Sequence, residues 1–231
     1  MRILKYFTIG ICSALAVLLL LTAIYAIPKW SILPSGSEFH QLSETVETPL
    51  ETLPDHVHLA MLAAESPSYL TNETTVIMCL LHDYSHSDIS SYCRFSISRM
   101  AFRDNIYQAH STRSHMERHI FELLLTIKIN HVLTRKQILE LAINNVYFGR
   151  NAVGIAQAAQ TFFGKQASDL TLAESALLAG LIKSPTRYNP LSSPERALER
   201  RNHILEMMTI FDMITEAEGR KAMVEPLSLS Q

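Results

Sequence analysis

A mainly helical fold is predicted by three observations. Glycine is scarce, with 7 among 231 residues, which leaves few positions for tight backbone corners. After Pro54 the apolar residues recur at helical spacing, and no alternating run with hairpin punctuation follows. Helix-start signals also recur: the capping boxes Thr134-Arg-Lys-Gln137 and Thr171-Leu-Ala-Glu174, then Ser193-Pro194-Glu195 with proline at the first helical position. Hydrophobic residues make up 48% and charged ones 18%, enough apolar side chain for a packed core and too little charge for a disordered chain. A net charge of −2 lacks the basic excess of a dedicated nucleic-acid binder, so no nucleic-acid partner is expected.

Tyr6 to Ile27 is an uncharged run rich in Leu, Ala and Ile. As a helix it would extend about 33 Å, enough to cross a hydrocarbon layer of about 30 Å. Arg2 and Lys5 precede it, and Lys29 is the last basic residue before Arg94. This bias predicts a transmembrane anchor over 6–27, residues 1–5 in the cytoplasm and the bulk outside, with Trp30 at the interface. A cleaved signal peptide is the competing reading, although the run is longer than the usual signal core. Cys12 falls in the anchor, which leaves Cys79 and Cys93 as a pair that an oxidising compartment could join.

Residues 28–53 read as a linker, and 54–215 as the folded domain. Pro54 to Glu65 is a helix stopped by Ser66-Pro67, with Val57, Leu59, Met61 and Leu62 apolar. Between about 66 and 112 the apolar period dissolves, which predicts a flexible lobe over 70–112 close to the bilayer. A helix over roughly 114–132 should bury Ile120, Leu123, Leu124, Ile127 and Ile129. Residues 216–231 read as a tail. Charge is strongly uneven: residues 30–93 hold nine acids and no Lys or Arg, whereas 94–136 hold eight bases against three acids. Two solvated faces would produce this division, and so would an anion site beside a membrane. His115 and His119 stand at helical ligand spacing with His110 near, but no further ligand has supporting spacing, so no metal site is predicted.

The densest pattern runs from 134 to 205. It comprises Lys136-Gln-Ile-Leu-Glu140 through Asn144, Phe148 and Gly149; Gly154-Ile155; Ala158-Ala159; and Phe163-Gly164-Lys165. Leu172-Ala-Glu174 through Gly180, Ser184-Pro185, Tyr188-Asn189-Pro190 and Arg200-Arg201-Asn202 complete it. This resembles glycosyltransferase family 51, the peptidoglycan glycosyltransferase domain of class A penicillin-binding proteins and their monofunctional relatives. Asn144, Phe148 and Gly149 read as scaffold. Upstream, the family's Glu-Asp-x-x-Phe-x-x-His motif is represented by Glu65-Ser66-Pro67-Ser68-Tyr69-Leu70-Thr71-Asn72, with Ser and Asn in place of Asp and His. Its Arg-Lys-x-x-Glu motif reads Arg118-His119-Ile120-Phe121-Glu122. Its Gly-Gly-Ser-Thr-Ile-Thr-Gln-Gln motif region reads Cys93-Arg94-Phe95-Ser96-Ile97-Ser98-Arg99-Met100, without the glycines or glutamines. Arg103 then supplies the motif's following cation.

The resemblance implies a lysozyme-like helical domain that joins lipid II to a lipid-linked glycan at the membrane surface. It implies Glu65 as the base, with Arg118, Arg103, Arg99 and Ser98 binding the leaving pyrophosphate. Glu122 would orient Arg118 or hold a divalent cation, Mg or Mn; no cofactor is required. A half-buried carboxylate is a stronger base than one in water, which suits Glu65 to removing a hydroxyl proton. By themselves the same residues have plainer readings, since a Glu at a helix end is usually a surface residue. Arg118 and Glu122, four apart, make an ordinary exposed ion pair. No Ser-x-x-Lys motif occurs, so no transpeptidase is expected in this chain. Three functions stay open: an active polymerase, a non-catalytic member that binds lipid II or other cell-wall synthases, and a lytic enzyme using one Glu. The expected location is a bacterial cytoplasmic membrane, with the domain in the periplasm.

Overall fold

The computed structural model describes residues 33–65, Ile97, Met100, Ala101 and 115–230, with backbone alone at 115–120, 122 and 123. Eight α-helices with described bounds, two short 3-10 turns (Leu50–Thr52 and Ala167–Asp169) and one small hairpin are assigned among them: α1 (Gly36–Glu44), α2 (Asp55–Glu65), α3 (His115–Val132), α4 (Arg135–Asn145), β1 (Tyr147–Gly149), β2 (Ala152–Val153), α5 (Ile155–Phe163), α6 (Leu172–Lys183), α7 (Pro194–Ile210) and α8 (Glu216–Val224). The predicted helical class is correct.

The centre of the fold is α6. Every residue from Ala173 to Ile182 is buried, because α2, α7 and α8 pack around it together with β1. A helix apolar on all sides can be stable in water only when covered in this way. Its two buried polar residues near the start are satisfied. The Ser175 hydroxyl donates to the carbonyl of Thr171 at 2.8 Å. Lys165 donates to both Glu174 carboxylate oxygens, at 2.9 and 3.0 Å. The capping boxes at Thr134 and Thr171 form as the sequence requires.

Four expectations are corrected. The linker assignment fails from residue 33 onward, because Gly36–Glu44 is helical and closed by a capping box between Ser35 and Glu38. Phe39 is fully buried there. The stretch that follows is docked on α4: Asn144 accepts from the Thr48 amide and donates to its carbonyl, both at 2.9 Å. Glu140 accepts from the Leu50 amide at 2.7 Å.

The tail is also folded. Thr215 and Glu218 make a further capping box at the start of α8, and the Ser230 amide donates to the Phe162 carbonyl at 2.8 Å. On α3 the buried side chains include Phe121, Leu125 and Ile129, whereas Ile127 is exposed. Spacing of four keeps those three residues on one stripe, and Ile127 lies off it. Finally, Ile97, Met100 and Ala101 are helical and buried, so the stretch from 70 to 112 contributes to the core at those points. The rest of that stretch, with Cys79 and Cys93, lies outside the described residues, as does the anchor over 6–27. Among the described residues no helix is long and apolar enough to cross a membrane.

Candidate active site

Glu65 is the last residue of α2 and is partly buried. The helix reaches its position by packing against both α6 and α7 through Val57, Ala60, Met61, Leu62 and Ala63. His56 adds a fixed point, its ring nitrogen lying 2.7 Å from the Leu170 carbonyl oxygen. The proposed base is therefore carried on a rigid element and not on a loop, which favours a defined geometry.

One charged group near this carboxylate, among the described residues, is an arginine to which the motif reading gave no role. Arg200, on α7, lies within the electrostatic reach of Glu65 and of Tyr188. Burial holds its guanidinium below the ordinary arginine range, and those two neighbours act in the opposite sense. Its central carbon is 5.9 Å from the centre of the Tyr188 ring, and that of Arg187 is 5.7 Å away. Both distances are within cation–π range. The Tyr188 loop is shaped by its own backbone bonds, from the Tyr188 amide to the Ser184 carbonyl at 3.1 Å and from the Ser193 amide to the Asn189 carbonyl at 2.8 Å. Arg200 and Tyr188 belong to the runs quoted above for the resemblance, which is the only sequence signal that could have found them.

The other expected site residues divide in two. Arg118 and Glu122 lie on the first two turns of α3, one turn apart, and their side chains are outside the described residues. Ser98, Arg99 and Arg103 are wholly outside them. Among the described residues no group of three or more His, Cys, Asp or Glu stands together as a metal site. Asn144 and Phe148 have the scaffold role expected of them: Asn144 ties Thr48 to α4, and Phe148 is fully buried.

The described residues thus form a mainly helical domain with a partly buried carboxylate at the end of α2 and a sheltered guanidinium on α7. Comparison with known proteins narrows the class: residues 97–209 match the model of the family described as Transglycosylase. Residues 97–209 belong to the transglycosylase family. Penicillin-binding protein 1A of Pseudomonas aeruginosa is 34% identical over 194 residues, covering 84% of this chain and 24% of that protein. Penicillin-binding protein 1A of Aquifex aeolicus is 45% identical over 116 residues, covering 50% of this chain and 16% of that protein. The crystal structure of penicillin-binding protein 1A from Haemophilus influenzae aligns at 44% identity with a TM-score of 0.41, over 42% of this chain and 14% of that one. The chain thus spans a quarter or less of the length of these relatives. Glu65 lies ahead of the segment matched by the family model.

Proposed function

We propose that the chain is a membrane-anchored peptidoglycan glycosyltransferase, which polymerises lipid II into β-1,4 glycan strands and releases undecaprenyl pyrophosphate. The observation that carries this reading is the placement of Glu65 at the end of α2, held by α6 and α7, in a chain whose residues 97–209 belong to the transglycosylase family.

The 4-hydroxyl oxygen of lipid II attacks the anomeric carbon of the lipid-linked glycan as the bond from that carbon to the pyrophosphate oxygen breaks. Glu65 takes the hydroxyl proton, and the electron pair leaves with the pyrophosphate. Inversion at the anomeric carbon requires the base and the leaving group on opposite faces of the sugar. Arg118, Arg103, Arg99 and Ser98 are therefore assigned to the pyrophosphate side, where planar guanidinium donors suit phosphate oxygens. Glu122 would orient Arg118 or hold a divalent cation, Mg or Mn, that would offset charge on the pyrophosphate. The anchor over 6–27 would hold the domain at the periplasmic face of a bacterial cytoplasmic membrane, where both lipid-linked substrates are met. Other cell-wall synthases are the expected protein partners.

A second reading has an observation of its own in favour. Ser66 and Asn72 stand where the resembled motif has Asp and His, which suits a member that binds lipid II without joining it. Polymerisation of labelled lipid II by the purified full-length protein separates the two. Polymer that falls by about 10²–10⁴-fold in Glu65→Gln supports the enzyme. Lipid II binding without polymer supports the binding module, and undiminished polymerisation by Glu65→Gln removes Glu65 from the role of base.

A further inference from the structure

Residues 48–53 lead into α2 almost directly, and they are gripped by one face of α4. Glu140 and Asn144 are four residues apart on that helix, so they share the face. Asn144 engages the Thr48 main chain twice, accepting from its amide and donating to its carbonyl, each at 2.9 Å. The same Nδ2 also donates to the Glu140 carbonyl at 2.9 Å, which fixes the orientation of the side chain. Glu140 accepts from the Leu50 amide at 2.7 Å. These are bonds that a neighbouring β-strand would ordinarily supply, made here by two side chains.

The path from there to α2 is held throughout. In the 3-10 turn over Leu50–Thr52, the Thr52 amide donates to the Pro49 carbonyl at 3.0 Å and the Leu53 amide to the Leu50 carbonyl at 3.1 Å. Leu50 and Leu53 are buried, and the Val57 amide donates back to the Pro54 carbonyl at 3.0 Å. The bond between His56 and Leu170 ties the same end of α2 to the start of α6. The other end of α2 is Glu65. Its 11 residues make a rod of roughly 15 Å, so a tilt of about 4° moves the last residue by about 1 Å. Misplacing a reacting group by about 1 Å costs on the order of 100-fold in rate. Between its ends, α2 packs on α6 with Ala60 and Ala63 among its buried residues, and α6 buries Ala173, Ala176, Ala179 and Gly180. Small residues make shallow ridges, which resist sliding less than large interlocking ones. The bonds at the start of α2 therefore carry much of its register.

We propose that Glu140 and Asn144 are positioning residues for Glu65: by holding residues 48–50 on α4 they set where α2 begins, and hence where its last residue stands. The role rests on the reading of Glu65 as the base. Neither side chain touches substrate in this scheme, and both act through the main chain that they hold.

The test uses the full-length protein in detergent and has two arms. In the kinetic arm, Asn144→Ala and Glu140→Ala each lower kcat for lipid II polymerisation by about 10- to 100-fold with KM little changed. Glu140→Gln keeps an oxygen for the Leu50 amide and recovers most of the loss. In the second arm, amide hydrogen exchange over 62–65 rises at least about threefold in both alanine variants, while exchange over 216–224 keeps the parent rate. Glu51→Ala removes only an exposed pair to the same helix and moves neither readout. An unchanged kcat in both alanine variants of an active enzyme overturns the proposal. So does exchange over 62–65 that stays the same, or that rises equally over 216–224 as general destabilisation would require. If Asn144→Ala does not fold, the contrast between Glu140→Ala and Glu140→Gln decides. If the unaltered protein makes no polymer, the enzymatic reading fails by itself, and the exchange arm still decides whether α4 holds the end of α2.

Discussion

Arg201 donates to the main-chain carbonyl of Glu225, 2.7 Å away and just past the end of α8. A second bond from the same guanidinium reaches the Met223 carbonyl at 2.5 Å. The last carbonyls of a helix have no partner within it, so α8 ends by borrowing its donors from α7. Glu225 is held from the other side as well, its carboxylate accepting from the Thr171 hydroxyl at 2.8 Å. Only 2% of Arg201 is exposed, so its loss leaves these carbonyls with no water to replace it. Arg201→Met should lower the unfolding free energy by about 2–4 kcal/mol, measured by urea denaturation. Proteolysis of this variant should begin in residues 216–230.

Glycine at 154 is required by a backbone collision. Its φ is +80°, and a Cβ there would stand 2.5 Å from the Asn144 carbonyl oxygen. Gly164 has φ of +66°, but a Cβ would meet only the Ser230 hydroxyl at 3.5 Å. Gly154→Ala should therefore cost about 2–4 kcal/mol, and Gly164→Ala about 1 kcal/mol. Equal losses in thermal unfolding of the two variants would contradict this account.

Glu174 does two jobs with one carboxylate: it pairs with Lys165 and accepts from the Thr171 amide at 2.8 Å. It is 4% exposed, so Glu174→Ala opens a helix cap and removes the partner of a partly exposed lysine together, at about 1–2 kcal/mol. The exposed pair between Lys136 and Glu51 is a control of the same chemistry in water. Glu51→Ala should leave the denaturation midpoint where it was.

His58 should make stability depend on pH. Burial holds its imidazole below the ordinary histidine value, against the pull of Asp55, and His56 adds to the depression. Its Nδ1 is buried without a hydrogen-bond partner among the described residues. A depressed histidine is neutral in the folded chain at a pH where the unfolded chain has begun to bind a proton. Its contribution is complete above the ordinary value near 6.5 and is lost as pH falls through the lower folded value. Denaturation midpoints taken downward from pH 7.5 should fall in the parent and fall less in His58→Gln.

How much of this was legible depended on whether a signal was local. The caps at Thr134 and Thr171 each lie within four residues of sequence, and both form. Ser35 to Glu38 and Thr215 to Glu218 follow the same rule, but they open helices of nine residues whose apolar stripes are short. In α1 the apolar stripe is little more than Phe39 and Leu42. Ile97, Met100 and Ala101 likewise hold helical spacing inside a segment that otherwise has none. The phase of α3 was ambiguous because its apolar residues surround the helix, and only packing selects Phe121, Leu125 and Ile129. The hairpin turns on Arg150 and Asn151, both with positive φ, and neither of these two turn positions is a glycine. Glu65 could be named from a motif. Arg200 stood within a run of the resemblance, but the packing of α2 and α7 on α6 that shelters it is not a local signal.

The docking of residues 33–53 alters what an anchor over 6–27 would do. Leu33 is already buried, and its carbonyl accepts from Lys128 at 3.1 Å. Between the end of that anchor and Leu33 the chain can reach no farther than about 20 Å, even fully stretched. A domain on a long stalk samples many orientations over a membrane, but one moored this closely by α1 and α3 has few. The tether would then act as a compass as well as a leash, deciding which face of the protein is turned toward the membrane.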